Sequence, residues 1–328
     1  MLYLLLFLNI VALVANIFFG SVHIPMDEVW EAMTGGEGVS EGVRFIILES
    51  RMPAAVTAML TGGALGVCGL LLQSYFRNPL AGPSILGITN GANLMVALIT
   101  LGGISTATTI IGMPITIIAA LVGAFAILLL LLSIGRVVRS QITLLIVGML
   151  LSYLTSAIIT LLSYHATATG VQNLMLWGMG NFNGVAISGL PLFATLILLS
   201  LVASAFLIKP LNGWMMGEQY AQSIGINISR TRRMLLVISG VLAAVTTAWT
   251  GPIAFVGLSM PHVARMLMRT DNHRQLLPAS LLLGGLCCSL CLTISTLPEG
   301  GSVLPINALT PIFGVPVILY VLRDSKGF

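Results

Sequence analysis

Apolar residues run along this chain in blocks that polar positions interrupt only at wide intervals. No Asp, Glu, Lys or Arg occurs in residues 1–26, 52–76, 78–135, 140–208, 234–264, 275–298 or 300–322. A helix that crosses the bilayer needs about 20 apolar residues. The blocks therefore hold one, one, two, two, one and a broken second, one, and one crossings. The awkward block is 234–264, which is short for two full spans at about 1.5 Å rise per residue. Gly251-Pro252, Gly257 and Pro261 interrupt its second half. The pattern predicts a full span from about Met234 to Thr250, then a short broken helix that returns to the side it came from. Such irregular backbone is tolerated at membrane depth only when buried in protein or lining a cavity.

Composition points the same way. Of 328 residues, 57% are hydrophobic and only 7% charged, where a soluble domain carries about a quarter. The reading is an all-α polytopic membrane protein, one transmembrane domain over 1–328, with about ten helices and both termini cytoplasmic. The opening stretch Leu2 to Phe19 has no basic flank and no small-residue cleavage site before Ser21, so it is taken as the first span and not as a signal peptide.

Charge sets the orientation, because Lys and Arg are retained on the cytoplasmic side. With the N-terminus inside, 20–51 is outside, Arg77 inside, the turn near Gly102 to Thr109 outside, and Arg136 and Arg139 inside. His165 to Asn183 is then outside and Lys209 to Arg233 inside. Twelve of the 14 basic residues fall inside, leaving Arg44 and Arg51 outside. Seven of the ten acids fall outside: Asp27, Glu28, Glu31, Glu37, Glu41, Glu49 and Glu299.

Several chemistries have no residues to carry them. Ion-coupled transporters usually hold an intramembrane carboxylate or charge pair, and here only His165 is a candidate within the blocks. An intramembrane hydrolase could use Ser156 or Ser259 but lacks a base beside either. The only lysines, Lys209 and Lys326, do not follow a glycine as a phosphate-cradling loop requires. Uphill transport by this chain would draw its energy from another subunit. Cys288 and Cys291 form a C-x-x-C spacing, but with no His, Asp or Glu nearby they are read, with Cys68 and Cys287, as structural thiols and not a metal site. His23 and His165 each stand alone outside. Gly62, Gly63, Gly66 and Gly69, and later Gly284 and Gly285, give the small-residue faces of closely packed helices.

Three segments are more particular: RNPLAGPSILGITNGA at 77–92, GEQYAQSIGINISRTRR at 217–233 and GPIAFVGLSMPHVAR at 251–265. With Arg51-Met52-Pro53, Gln73, Trp177-Gly178-Met179-Gly180, Leu276-Leu277-Pro278 and Leu309 to Pro316, they resemble the BtuC/FecCD family. Its members are the permeases of type II ABC importers for iron–siderophore complexes, haem and cobalamin.

That resemblance implies a bacterial inner-membrane protein that pairs with a second copy around a shared pore. Two ATPase subunits would dock below, holding ATP and Mg, and a periplasmic binding protein above. No cofactor on this chain and no nucleic-acid partner is implied. Within the cytoplasmic stretch 209–233, residues Gly217, Glu218, Ala221, Ser223, Gly225 and Ile226 match the coupling loop to the ATPase. Ser140, Gln141 and Ile142 match the inner gate. Arg77, Asn78, Pro79, Gly87, Gly251, Pro252, Gly257, Pro261 and His262 are the structural motif. Spans five and ten, the family's pore helices, are free of charge. The chain departs from the pattern in having Ala54 where a second Arg usually follows the Pro, and no Asp or Arg in Cys291 to Ser295. Arg51 and Arg44 are then the candidates for binding-protein docking. His262 and His273, beside the lengthened Asp271-Asn272-His273-Arg274 turn, are expected in cytoplasmic loops, as helix-end or interface groups and not metal ligands.

Overall fold

A computed structural model describes residues 1–36, 38–104, 109–110, 113–138, 140–298 and 303–324. Glu37, Arg139, Glu299 and Lys326, which enter the charge count, and 105–108 of the 102–109 turn lie outside the described residues.

The chain begins with α1 (Leu2–Phe18), followed by the short helices α2 (Met26–Thr34) and α3 (Glu41–Phe45). A π-helical turn at Ile46–Arg51 fuses α3 to α4 (Met52–Phe76), so that Glu41–Phe76 is one rod of 36 residues. The segment 20–51 is thus not all loop: its end is already the second span. A 3-10 turn at Pro83–Leu86 leads into α5 (Ile88–Leu101). A two-residue ladder, Thr109–Ile110 against Met113–Pro114, precedes α6 (Ile115–Val137). Then come α7 (Gln141–Tyr164), α8 (Ala168–Gly178), α9 (Leu190–Ala205), α10 (Ile208–Met215) and α11 (Glu218–Ser223). The chain continues with α12 (Ile228–Thr250), α13 (Val256–Met268), α14 (His273–Ser295) and α15 (Ile306–Asp324).

Among the described residues, five helices are long and apolar enough to cross a membrane, or six if α9 and α10, bent by 47°, count as one span. Three shorter apolar helices, at Leu2–Phe18, Ile88–Leu101 and Ile306–Val321, accompany them. α12 begins six residues before the expected Met234, because Asn227 caps it: its Oδ1 accepts from Arg230 N at 2.9 Å. The caps of α7, α8 and α14 are Ser140, Thr167 and Asn272, polar side chains that satisfy otherwise orphaned N–H groups.

α4 is the hub. Its most apolar window is 83% buried, against 17% for α7, so α7 is peripheral and its apolar faces await lipid or a partner. The hub can be this crowded because its neighbours touch it backbone to backbone. A Cβ on Gly62 would lie 2.0 Å from Gly284 O of α14, and one on Gly66 would lie 2.3 Å from Ser280 O. On α13, Pro261 has no N–H to offer the carbonyl four residues back. That carbonyl belongs to Gly257 and lies against Gly69. α1 is held differently: the buried Asn9 and Asn16 donate to Leu282 O at 2.9 Å and Ser289 O at 3.0 Å of α14. Interhelical amide bonds of this kind act as glue where apolar helices gain little from leaving lipid.

Candidate functional site

The segment between α10 and α12 is built by two glycines with positive φ, Gly217 at +119° and Gly225 at +83°. Both angles lie where a Cβ is penalised. Between them α11 runs Glu218–Ser223 as a short polar helix, with its one buried residue, Ala221, turned inward. Ile226 N donates to Ala221 O at 3.0 Å, closing the turn. The side chains of Ile224 and Ile226 come down on Gly213 of α10, so α10 and α11 form one packed hairpin. Ser223 Oγ donates back to Tyr220 O at 2.8 Å. Beside α11 lies a cavity of about 470 Å³ lined among others by Glu218, Gln222, Ser229, Arg136, Arg232 and Arg233. Among the described residues its lining is basic, with three arginines and a single carboxylate.

The hairpin hangs from the bundle by a polar knot. Arg77, at φ +47° beyond α4, donates to Trp214 O at 2.8 Å, and Gly217 N donates to the same oxygen at 3.0 Å. Asn78 Oδ1 accepts from Leu80 N, shaping the turn that presents Pro79 O to His262 Nε2 at 2.7 Å. Gln73 bridges α13 by donating to Leu258 O and accepting from Arg265. His273 donates through Nδ1 to Asn212 Oδ1 at 2.8 Å, leaving Nε2 to accept from Ser74 Oγ at 2.7 Å. Tyr75 Oη accepts from Arg232 and its ring stacks edge-on against Trp214. The loop placement expected for His262 and His273 is therefore corrected, while their reading as helix-end or interface groups fits these contacts. They are 5% and 1% exposed and lie within α13 and at the start of α14. A half-apolar imidazole with two polar nitrogens suits a buried crossing of three helices better than a wet loop.

At the opposite end of the bundle a second knot holds the break between α12 and α13. Asn307, the second residue of α15, donates to Gly178 O at 2.9 Å and Pro252 O at 2.6 Å and accepts from Ala254 N at 3.0 Å. Asn181 N donates to Thr250 O. Gly251 and Pro252 thus sit against the Trp177–Gly180 turn, and the carbonyls of Thr250 and Pro252 at the helix break each find a donor. Gly87 packs against Gly148 of α7.

Arg51 lies at this same end, turned inward. It is 8% exposed, and its guanidinium donates to Ile17 O, Phe18 O and Val22 O. These carbonyls lie at and beyond the C-terminus of α1, which has no intrahelical donor for them. Arg51 is a clamp between α1 and α4, and its guanidinium is engaged by these carbonyls and largely buried where the docking reading expected an exposed charge. Arg44 is half-buried and donates to Gly36 O. Ser140 caps α7 by accepting from Thr143 N, Gln141 opens the helix, and Ile142 is 69% exposed. The residues that sequence reasoning missed are Ser74, Tyr75, Asn212, Trp214 and Asn307. Asn212 and Asn307 were legible only as rare amides in apolar surroundings.

Known proteins share this design along its length. The model of the FecCD transport family matches residues 6–324. The vitamin B12 import system permease protein BtuC of Salmonella paratyphi A is 33% identical over 322 residues, covering 98% of this chain and 95% of that protein. Its counterpart in Salmonella typhimurium is 32% identical over the same coverage. A solved structure, described as an inward-facing conformation of an ABC transporter assigned to the metal-chelate type, superposes with a TM-score of 0.85 at 28% identity, covering 98% of both chains. The two knots, the glycine-packed hub and the broken return leg all fall inside the matched region, and the chain belongs to the FecCD transport family, the membrane permeases of ABC importers.

Proposed function

We propose that the chain moves a bulky metal chelate, of the cobalamin, haem or iron–siderophore class, inward across a bacterial cytoplasmic membrane. Its energy comes from ATP hydrolysed on a separate cassette subunit, and a periplasmic binding protein delivers the cargo. The observation that carries this reading is whole-length similarity to a vitamin B12 import permease and to a metal-chelate ABC transporter. Ten crossings follow if α1, α4, α5, α6, α7, α9 with α10, α12, α13, α14 and α15 each count once. α13 alone spans only about 20 Å, and the extended residues 251–254 supply the remaining depth. Two copies pair through α7 and α15, whose exposed Ile142, Leu150, Tyr153, Ile312 and Leu319 form the uncharged walls of the pathway. Ser140, Gln141 and Ile142 gate its inner mouth. The cassette subunit engages Gly217 to Ile226, and the Arg77–Trp214 link passes its motion to α4.

The test is uptake into proteoliposomes holding the full chain and its cassette ATPase, with the binding protein added outside. ATP-dependent entry of labelled cobalamin, ferric siderophore or haem is the expected result. Uptake driven by a proton or sodium gradient without ATP would instead make the chain an ion-coupled transporter.

A further inference from the structure

Between the C-terminal half of α9 and the first turns of α12 lies a second cavity, of about 520 Å³, whose chemistry changes along its length. Arg230 and Arg233 line it at the start of α12. Met234, Val237 and Ile238 follow along the helix, facing Ala203 of α9. Spaced three apart, the two arginines are neighbours on one helix face. Both are exposed, and among the described residues neither guanidinium has a carboxylate or hydrogen-bond partner. Asp271 pairs with Arg265 at 3.8 Å, and Glu218 lines the adjoining cavity without a salt bridge to Arg233. The groove is therefore apolar along one part and carries two unneutralised cations at the other. That end belongs to the bundle's basic face.

We propose that this groove binds one anionic phospholipid of the cytoplasmic leaflet. The headgroup phosphate sits on Arg230 and Arg233, whose planar forks match phosphate oxygens. An acyl chain lies along Val237 and Ile238 against Ala203. A soluble anion would leave the apolar part unused, and a zwitterionic lipid would bring a headgroup cation beside the two arginines and leave their charge uncompensated. Because Arg233 also lines the cavity beside Glu218 and Gln222, the bound headgroup abuts the α10–α11 hairpin.

The full-length protein, reconstituted with equal phosphatidylglycerol and phosphatidylcholine and then stripped in detergent, is analysed by native mass spectrometry for retained lipid. Wild type should retain phosphatidylglycerol selectively. Arg230→Gln with Arg233→Gln should lose that preference by about thirtyfold in apparent affinity, at roughly fivefold per basic group. Arg274→Gln, an exposed arginine outside the groove, should leave it unchanged. Ala203→Phe keeps both arginines but fills the apolar part, and should also reduce retention. Thermal melts identify any variant that fails to fold, and the paired Lys substitutions, which keep the charge, should then retain most of the preference. Equal selectivity in wild type and the double Gln variant would overturn the proposal. So would an Arg274→Gln loss of the same size, or displacement by inorganic phosphate with no effect of Ala203→Phe.

Discussion

Arg77 and Trp214 are joined across 137 positions of sequence by a 2.8 Å hydrogen bond from the guanidinium to the tryptophan carbonyl. The same carbonyl accepts from Gly217 N, the residue that immediately precedes α11. One oxygen thus connects the end of the buried hub helix to the start of the polar hairpin. A push on α11 meets a short, polar, directional linkage instead of a loose loop. Tyr75, stacked on Trp214 and bonded to Arg232, braces it from the side.

Breaking that link should uncouple more than it unfolds. Arg77→Gln removes a hydrogen bond worth about 1 kcal/mol at an exposed side chain, so melting should shift little. ATP-driven uptake should fall by an order of magnitude while the cassette subunit still co-purifies. A large melting shift with transport per folded molecule unchanged would assign Arg77 a stability role only.

Gly225 offers a graded test of the hairpin itself. At φ +83° with open space around its Cα, substitution there carries a conformational cost and no clash. Asn tolerates the left-handed region and Val does not. Gly225→Asn should keep most transport. Gly225→Val should keep insertion and dimerisation but lose transport and transport-coupled ATP hydrolysis. Normal uptake by the Val variant would remove the hairpin from the coupling role.

Much of this architecture is legible in sequence because the bilayer imposes coarse rules. Charge-free blocks, glycines at helix-contact spacing and the broken 251–261 stretch all follow from hydrocarbon depth and backbone satisfaction. What stays hidden is the direction in which a polar side chain at a helix end turns. Arg51 sits where an exposed cation is plausible, yet carbonyls left open 29 to 34 residues earlier draw it inward. His273 bonds Ser74 and Asn212, partners 199 and 61 residues away. No local pattern signals such pairings. The early start of α12 was open to reading, since Asn227 precedes Arg230 at capping distance.

Arg51 can now be separated from a docking charge. Arg51→Gln removes donors from three carbonyls at and beyond the C-terminus of α1 and should destabilise the protein by about 1–3 kcal/mol, seen as lower yield and an earlier melt. The defect should be insensitive to salt, since exposed charge pairs are screened and buried bonds much less so. Wild-type stability with salt-dependent loss of binding-protein association would restore the docking role.

The reciprocal contact of Gly62 and Gly284 sets a steric limit on the hub. A Cβ on either residue lies 2.0 Å from the other's carbonyl oxygen. The obstacle is backbone and cannot swing away. Gly62→Ala and Gly284→Ala should each destabilise the fold by about 1–3 kcal/mol or more, and the double variant should be no better than either single one. Gly82→Ala, with nothing within 4 Å, is the control and should melt like wild type. A stable Gly62→Ala protein would mean that α4 and α14 can move apart without loss.

Asn307 decides whether the second knot holds the broken return leg in place. Its amide donates to Gly178 O and Pro252 O while its Oδ1 accepts from Ala254 N, so all three bonds need an amide in one orientation. Asn307→Asp keeps the shape and the acceptor but points a carboxylate oxygen at two carbonyls, exchanging two attractions for repulsion. Asn307→Ala removes all three bonds and leaves those carbonyls without a donor, at about 1–3 kcal/mol per buried group. Both variants should loosen residues 251–255, and Asp should be the worse. Hydrogen exchange is the direct readout: faster exchange at Ala254 and Asn181, with protection at the Arg77–Trp214 end unchanged, is the expected pattern. Uniform loss of protection through α12 and α13 would instead mean that the break is held by packing on α4 and α15, with the amide incidental.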